Sequence, residues 1–117
     1  MMEYNQTKRS IDTGFLRAII DNDKDFEREL FNIFTENAHR NIIKMEQSMG
    51  ESDYNSWYMA AHAFKGAAAS IGAFELAKIL EYAQKHPEES REQKEQLIAQ
   101  VREEMNHVLD FINQELL

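Results

Sequence analysis

The chain has 117 residues, of which 43% are hydrophobic and 29% charged, a composition that suits one domain with a core of its own and makes a second domain unexpected. Its 21 acidic and 13 basic residues give a net charge of -8, so nucleic acid and anionic membrane surfaces are not expected as partners. The absence of cysteine excludes disulfides, thiolate zinc sites and cysteine nucleophiles. One proline and four glycines are too few for the turns of an all-β fold, so an all-helical fold is predicted.

The polar residues 1–10 are predicted to form a flexible head, and residues 11–117 the domain. The head lacks the apolar segment of a secretion signal, and no uncharged apolar run reaches the ~18 residues of a membrane span, so we expect a cytoplasmic protein. Asp12 is a suitable N-cap for a short first helix that ends in the polar turn DND. The apolar residues of this helix are Phe15, Leu16, Ile19 and Ile20.

A long helix is predicted from about Asp23 to Ser48, because apolar residues recur there at steps of three and four. Gly50 ends this helix, and Ser52 or Asp53 is expected to cap the next one. The positions assigned to its core face are Phe26, Leu30, Ile33, Phe34, Ala38, Ile42, Met45 and Met49.

The third predicted helix has an apolar seam at alternating steps of four and three residues. Gly72 either ends this helix or only interrupts it. A shorter fourth helix follows and stops before Pro87. The third helix buries Trp57, Ala61, Phe64, Ala68 and Ile71, and the fourth buries Phe74, Leu76, Ile79, Leu80 and Ala83.

The last helix begins at a capping-box pattern formed by Ser90 and Gln93. Short connections between the four longer helices require neighbouring helices to be antiparallel. The predicted fold is therefore an up-down-up-down four-helix bundle with a short additional N-terminal helix. The core stripe of the last helix is Leu97, Val101, Met105, Val108, Ile112 and Leu116, widened by Ile98 and Leu109.

The stretch AHAFKGAAASIG, residues 61–72, sets one histidine and one lysine among very small side chains. At about 100° per residue, His62 lies about 140° from the core seam of its helix, so the imidazole is predicted to face solvent with Lys65 beside it. Gly66 costs an exposed helix about 0.5 to 1 kcal/mol relative to alanine, which calls for a reason. Without a Cβ at this position, the backbone of another protein can approach the ring. The same surface continues with Ala69, Ser70 and Ala73.

Phosphoryl transfer through histidine suits this pattern. An imidazole is a usable nucleophile at neutral pH without a separate base, and a lysine beside it supplies positive charge for phosphoryl oxygens. Four scattered glycines form no phosphate-binding loop for ATP, so the chain would receive and pass on a phosphoryl group without being an enzyme that makes it from nucleotide. The alternative is a solvated histidine beside a chance glycine.

The segment from Ala61 to Gln84 resembles the signature of histidine-containing phosphotransfer (HPt) domains of multistep two-component signalling. The family pattern is His, two residues, Lys-Gly, five residues, Gly and then a leucine-bearing helix. The residue two after the histidine is usually leucine and here is Phe64, a difference that affects packing more than chemistry. The matching residues, in order, are His62, Lys65, Gly66, Gly72 and Leu76.

The resemblance implies that His62 is phosphorylated on Nε2 and exchanges the group with receiver-domain aspartates of hybrid sensor kinases and response regulators. Lys65 would steady the phosphoryl group, and Gln84 would hydrogen-bond the histidine. The protein is expected to act as a monomer without a cofactor or metal of its own, since any Mg²⁺ would belong to the receiver. The expected docking patch for the receiver is Tyr58, Gly66, Ala69, Ser70, Gly72 and Ala73.

Two other functions remain open from the sequence. The bundle could dock receiver or kinase domains without carrying phosphate, although that function would not explain the presence of both His62 and Lys65. A di-iron or haem bundle needs inward-facing Glu-x-x-His pairs, and the spacing occurs only once, at Glu36 and His39.

Overall fold

Five α-helices make up the computed structural model, which describes residues 10–50 and 53–116. The helices are α1 (Thr13–Ile20), α2 (Lys24–Gln47), α3 (Tyr54–Ser70), α4 (Phe74–Lys85) and α5 (Arg91–Leu116). No strand occurs within these two ranges, and the predicted all-α class is confirmed. Three predictions lie outside what is described: nearly all of the 1–10 head, the cap at Ser52 and the side chain of Leu116.

The four longer helices pack as a ring. Helix α2 contacts α3, α3 contacts α4, α4 contacts α5, and α5 returns to α2, while α1 packs on α2. An ion pair between Arg102 of α5 and Glu46 of α2 joins the two ends of the ring. This is the predicted four-helix bundle, in which α3 has α2 on one side and α4 on the other and turns its remaining face to solvent.

Side-chain caps mark three helix starts, and two of them, at Asp12 and at Ser90 with Gln93, were predicted from the sequence. Asp12 and Asp23 each accept a hydrogen bond of 3.0 Å from the backbone N–H three residues on, at the starts of α1 and α2. At α5, the backbone N–H of Gln93 donates to the Ser90 hydroxyl (3.1 Å) and the Ser90 N–H donates to the Gln93 side chain (3.3 Å), which completes the capping box. Asp53 precedes α3 without a capping hydrogen bond from its side chain.

Gly72 ends α3. The N–H groups of Gly72 and Ala73 donate to carbonyls of the last turn of α3, at 3.1 and 2.9 Å, and the φ of Gly72 is +81°, an arrangement known as a Schellman motif. Its carbonyl accepts a 2.9 Å hydrogen bond from the N–H of Asp12, which ties the start of α1 to this turn. A Cβ here would lie 3.1 Å from a ring carbon of Phe15 and 3.2 Å from the Asp12 carbonyl oxygen. The backbone conformation and the close approach both require glycine.

The core seam predicted for α3 is confirmed, since Trp57, Ala61, Phe64, Ala68 and Ile71 are all 0% exposed. Most of the stripes predicted for α4 and α5 are buried as well. The buried members are Leu76, Leu80 and Ala83 of α4 and Leu97, Ile98, Val101, Met105, Val108 and Ile112 of α5.

Two of the core positions predicted for α2 are wrong. Phe26 and Ile33 are 41% and 50% exposed, whereas Phe31, which was not predicted for the core, is buried. Apolar side chains surround more of α2 than its neighbours α1, α3 and α5 cover, so the packing of these helices decides which of the side chains are buried. Phe74 of α4 is also more exposed than predicted, and its ring meets the ring of Phe15 edge-on at a centroid distance of 5.2 Å.

Lys94 of α5 is buried, which its sequence context does not predict. Its ammonium lies 4.9 Å from the ring centroid of Trp57 and 5.1 Å from that of Tyr54, within the range of cation–π attraction. Burial lowers the pKa of Lys94, and the charges of Glu88 and Asp53 act in the opposite direction. The side chain thereby connects α5 with the first turn of α3.

Candidate functional site

His62 lies exposed near the middle of α3, on the face that neither α2 nor α4 covers. Its ring is parallel to that of Tyr58, one turn earlier, with a centroid distance of 6.0 Å and an interplanar angle of 4°. Within residues 10–50 and 53–116, no hydrogen bond reaches either ring nitrogen of His62. A neighbouring aromatic ring therefore flanks the imidazole, while its nitrogens are open to a partner.

The surface beside His62 is built from small residues. Gly66 is exposed, and a Cβ built on it would meet no side chain or neighbouring segment of the described chain within 4 Å. Packing within the molecule therefore gives no reason for glycine at this position. Ala69 is half-buried, and the exposed Ser70 uses its hydroxyl within the helix, donating to the carbonyl of Ala67 at 2.7 Å.

The structure corrects two members of the predicted docking patch. Gly72 is buried and Ala73 is 0% exposed, so neither offers surface to a partner. The chain turns inward at the end of α3, and the segment leading into α1 covers the turn through the hydrogen bond between Asp12 and Gly72. The part of the patch at the surface consists of Tyr58, Gly66, Ala69 and Ser70.

A buried hydrogen bond holds α4 in register with α3. The indole N–H of Trp57 donates to the carbonyl of Ala83 at a distance of 2.8 Å. The next residue, Gln84, is 9% exposed, and its Oε1 has no hydrogen-bond partner among the described residues. The predicted hydrogen bond between Gln84 and His62 is therefore not formed in this structure. The Oε1 of Gln84 stays buried without a donor among the described residues, next to the Ala83 carbonyl that binds Trp57 of α3.

Two charged residues of α4 that were not predicted for the site form an ion pair, and the charge of Lys65 affects one of them. The ammonium of Lys85 lies 2.8 Å from the carboxylate of Glu81. The pKa of Glu81 is lowered by the hydrogen bond to Lys85 and the charge of that residue, and then by the charge of Lys65. The spacing of Glu81 and Lys85 predicts a pair on one helix, but their relation to Lys65 depends on how α3 packs against α4.

The other histidines lie away from this arrangement. His39 is exposed on α2, His107 pairs with Glu104 on α5 at 3.5 Å, and His86 follows α4 with its Nδ1 2.8 Å from the carbonyl of Tyr82. Across residues 10–50 and 53–116, no group of three or more His, Asp or Glu side chains is arranged to hold a metal ion.

The pair considered for a di-iron or haem bundle points away from the core, because Glu36 and His39 are both exposed. That alternative needs inward-facing ligands and is not supported by this structure. Among the described residues, no helix combines the length and apolarity required to cross a bilayer.

Taken together, the antiparallel bundle and the open imidazole beside a lysine and a glycine define a helical module that can carry a group on histidine. A family model described as the Hpt domain matches residues 29–112, from α2 to near the end of α5. The chain therefore belongs to the Hpt domain family, whose members are phosphocarriers of two-component phosphorelays. Comparison with curated proteins and with solved structures gave no match.

Proposed function

We propose that this protein relays a phosphoryl group through His62, taking it from a receiver-domain aspartate of a hybrid sensor kinase and giving it to that of a response regulator. The observation that carries the proposal is the exposed imidazole of His62, whose nitrogens make no hydrogen bond with the described residues, with Lys65 and Gly66 at the spacing of the family signature. On this proposal the protein is a carrier in the cytoplasm and works as a monomer. It needs no nucleotide site.

The transfer needs only an imidazole with a free nitrogen. The lone pair on Nε2 of His62 attacks the phosphorus of the receiver's acyl phosphate, so that a P–N bond forms while the P–O bond breaks. The aspartate leaves as a carboxylate with the electron pair of that bond. The proton on Nδ1 stays in place, so the phosphorylated ring is cationic, and onward transfer is the same reaction in reverse. Lys65 neutralises charge on the phosphoryl oxygens, which is the main demand in phosphoryl transfer.

Gln84 is proposed to orient the ring of His62. Its buried Oε1 has no donor among the described residues, and leaving a buried acceptor unpaired costs about 1 to 3 kcal/mol. A rotation of the His62 side chain that brings Nδ1–H to Oε1 would satisfy that acceptor and direct Nε2 toward the receiver. Replacing Gln84 with leucine should slow phosphorylation of His62 while the helix content stays unchanged in circular dichroism. An unchanged transfer rate would refute this role.

The receiver is proposed to lie on the outward face of α3. Tyr58 is 40% exposed, and Gly66, Ala69 and Ser70 continue the surface without a long side chain. Aromatic residues such as Tyr58 are enriched at interface cores, and the small side chains beside it leave room for a partner to come close. Gly66 permits the closest approach because nothing within the described chain occupies the space above it.

The decisive experiment is incubation of the protein with a radiolabelled phospho-receiver, followed by measurement of acid-labile, alkali-stable label. Wild-type protein and His39→Gln should both take up label, since His39 is a similarly exposed helical histidine, whereas His62→Gln should take up none. Equal labelling of wild type and His62→Gln would refute the carrier role. Binding of receivers without labelling of any variant would instead favour a module that docks receivers but carries no phosphate.

A further inference from the structure

The rings of Tyr58 and His62 form a stacked pair on the outward face of α3. Their centroids are 6.0 Å apart and their planes differ by 4°. This separation lies within the range of about 4.5 to 7 Å over which aromatic rings attract each other. Tyr58 is 40% exposed, and its hydroxyl makes no hydrogen bond with the described residues. The pair is therefore held by the two rings and the helix that carries them.

Helical geometry explains why the tyrosine is the neighbour of the imidazole. Residues three and four positions apart share a helix surface, and helical side chains lean toward the preceding turn. His62 therefore leans toward Tyr58 and Met59, and away from Lys65 and Gly66. Gly66 has no side chain to place on the other side of the ring. The imidazole has an aromatic ring on its N-terminal side and open space on its C-terminal side.

This orientation is compatible with the proposed hydrogen bond from His62 to Gln84. The indole of Trp57, the residue before Tyr58, donates to the carbonyl of Ala83. Gln84 is the next residue of α4, so it lies at the level of the α3 turn that carries Tyr58. The ring pair and the proposed hydrogen bond therefore draw the imidazole in the same direction along α3.

We propose that Tyr58 is a positioning residue whose ring orients the imidazole of His62 and stabilises its phosphorylated form. This inference rests on the proposed role of His62 as the phosphoryl carrier. In that reaction Nε2 forms the P–N bond and Nδ1 keeps its proton, so the phosphorylated ring has a positive charge that a neutral imidazole lacks. The face of an aromatic ring attracts a cation. Because a substituent on Nε2 lies in the plane of the imidazole, it can be added without separating two parallel rings.

The expected effect is small because both rings lie at the surface. Cation–π attraction acts within about 6 Å of the ring centroid, and at exposed positions it changes an equilibrium about two- to fivefold. The centroid distance of 6.0 Å is at the outer limit of this range. We therefore expect a contribution of about two- to threefold to the equilibrium constant for phosphorylation.

Helix α4 offers a matched control with the same spacing of tyrosine and histidine. Tyr82 and His86 are stacked with centroids 4.0 Å apart and an interplanar angle of 20°. Tyr82 is 46% exposed, similar to Tyr58. Substitution of Tyr82 therefore removes an exposed, stacked tyrosine from a histidine that is not proposed to carry the phosphoryl group.

The experiment measures the equilibrium of phosphoryl exchange between a phospho-receiver and the full chain at pH 8, where imidazole side chains are mainly neutral before phosphorylation. Tyr58→Leu should lower the equilibrium constant for phosphorylation of His62 about two- to threefold. Tyr58→Phe keeps the ring and loses only the hydroxyl, so it should retain the wild-type constant. Tyr82→Leu should leave the constant unchanged.

The equilibrium constant separates this role from the proposed contact of Tyr58 with the receiver. A weaker complex slows the approach to equilibrium but does not change the ratio of the separated phosphorylated and unphosphorylated proteins. The constant is therefore measured at concentrations at which carrier and receiver are mostly apart. The NMR chemical shifts of the His62 ring protons provide a second readout, without any receiver. They should change in Tyr58→Leu and stay near the wild-type values in Tyr58→Phe and Tyr82→Leu.

Several outcomes would overturn the inference. Slower transfer by Tyr58→Leu with an unchanged constant shows that Tyr58 meets the receiver but does not stabilise phosphorylated His62. An equal loss in Tyr58→Phe assigns the effect to the hydroxyl, and an equal loss in Tyr82→Leu indicates a general loss of structure. Unchanged His62 resonances in Tyr58→Leu show that the two rings are not paired in solution. Failure of the wild-type chain to accept any label is a separate result, which refutes the carrier role of His62 itself.

Discussion

Replacing Gly66 with alanine should make the protein more stable and a poorer phosphocarrier. Gly66 lies inside α3 and is exposed, and an added Cβ would meet no other part of the described chain within 4 Å. The folded state can therefore accept alanine without strain, and alanine restricts the unfolded chain. The expected gain in the free energy of unfolding is about 0.5 to 1 kcal/mol.

The functional cost should appear only when a receiver is present. The new methyl group would stand one turn from the imidazole of His62, where the receiver backbone is proposed to approach. Displacing the reacting atoms by a fraction of an ångström slows such transfers strongly, so we expect a transfer rate at least about tenfold lower. Transfer kinetics from a phospho-receiver, together with urea unfolding of the same sample, would measure both effects.

A control for helix propensity is available in α5, on the side of the ring away from α3. Ala99 is exposed there, and Ala99→Gly should lower stability by a similar amount to the gain from Gly66→Ala, with normal transfer. If Gly66→Ala destabilises the protein, the glycine has a structural purpose that the geometry does not show. If the variant is stabilised and transfers at the wild-type rate, a close receiver approach at Gly66 is refuted.

Two further predictions concern stability. Gly72→Ala should cost about 1 to 3 kcal/mol, because alanine at a φ of +81° is strained and its Cβ would press on Phe15; an unchanged melting temperature would contradict this. Lys94→Met should be neutral to about 1 kcal/mol more stable at pH 7, because it removes the cost of burying a charge. Since the folded-state pKa of Lys94 is lowered, the unfolded wild-type chain binds the proton more tightly, and wild-type stability gains on the variant as pH rises from the folded pKa toward 10.5. Urea unfolding of both proteins between pH 7 and 10.5 tests this. If the stability of Lys94→Met relative to wild type increases with pH, the reasoning is refuted.

The fold could be predicted from periodicity because most of the long helices have one dominant apolar side. The seam of α3 illustrates this: its steps of four and three residues leave one set of positions for the core, and Trp57, Phe64 and Ile71 are fully buried there. Helix α2 is different, since Phe31 lies about 140° around the helix from Phe26 and about 160° from Ile33, so its apolar residues occupy two sides. The packing of α1, α3 and α5 against α2 decides which of the three is buried.

The site was predictable as far as it depends on one helix. His62, Lys65 and Gly66 share α3, so their relative positions follow from helical geometry. The contributions of α4 could not be deduced in this way. The charge of Lys65 on α3 contributes to the lowered pKa of Glu81 on α4, and Gln84 is buried beside the α4 residue that accepts the hydrogen bond of Trp57.

The two glycines of the family signature respond to different constraints. Gly72 is required by its own chain, because the backbone there has a positive φ and Asp12 lies against the place of a side chain. Nothing within the described chain requires Gly66, whose missing Cβ leaves open space. If folding alone selected the residues of this motif, alanine would be more favourable than glycine at position 66. Glycine there fits the proposed approach of a receiver during transfer, and the opposite stability changes expected for the two glycine-to-alanine variants distinguish these causes.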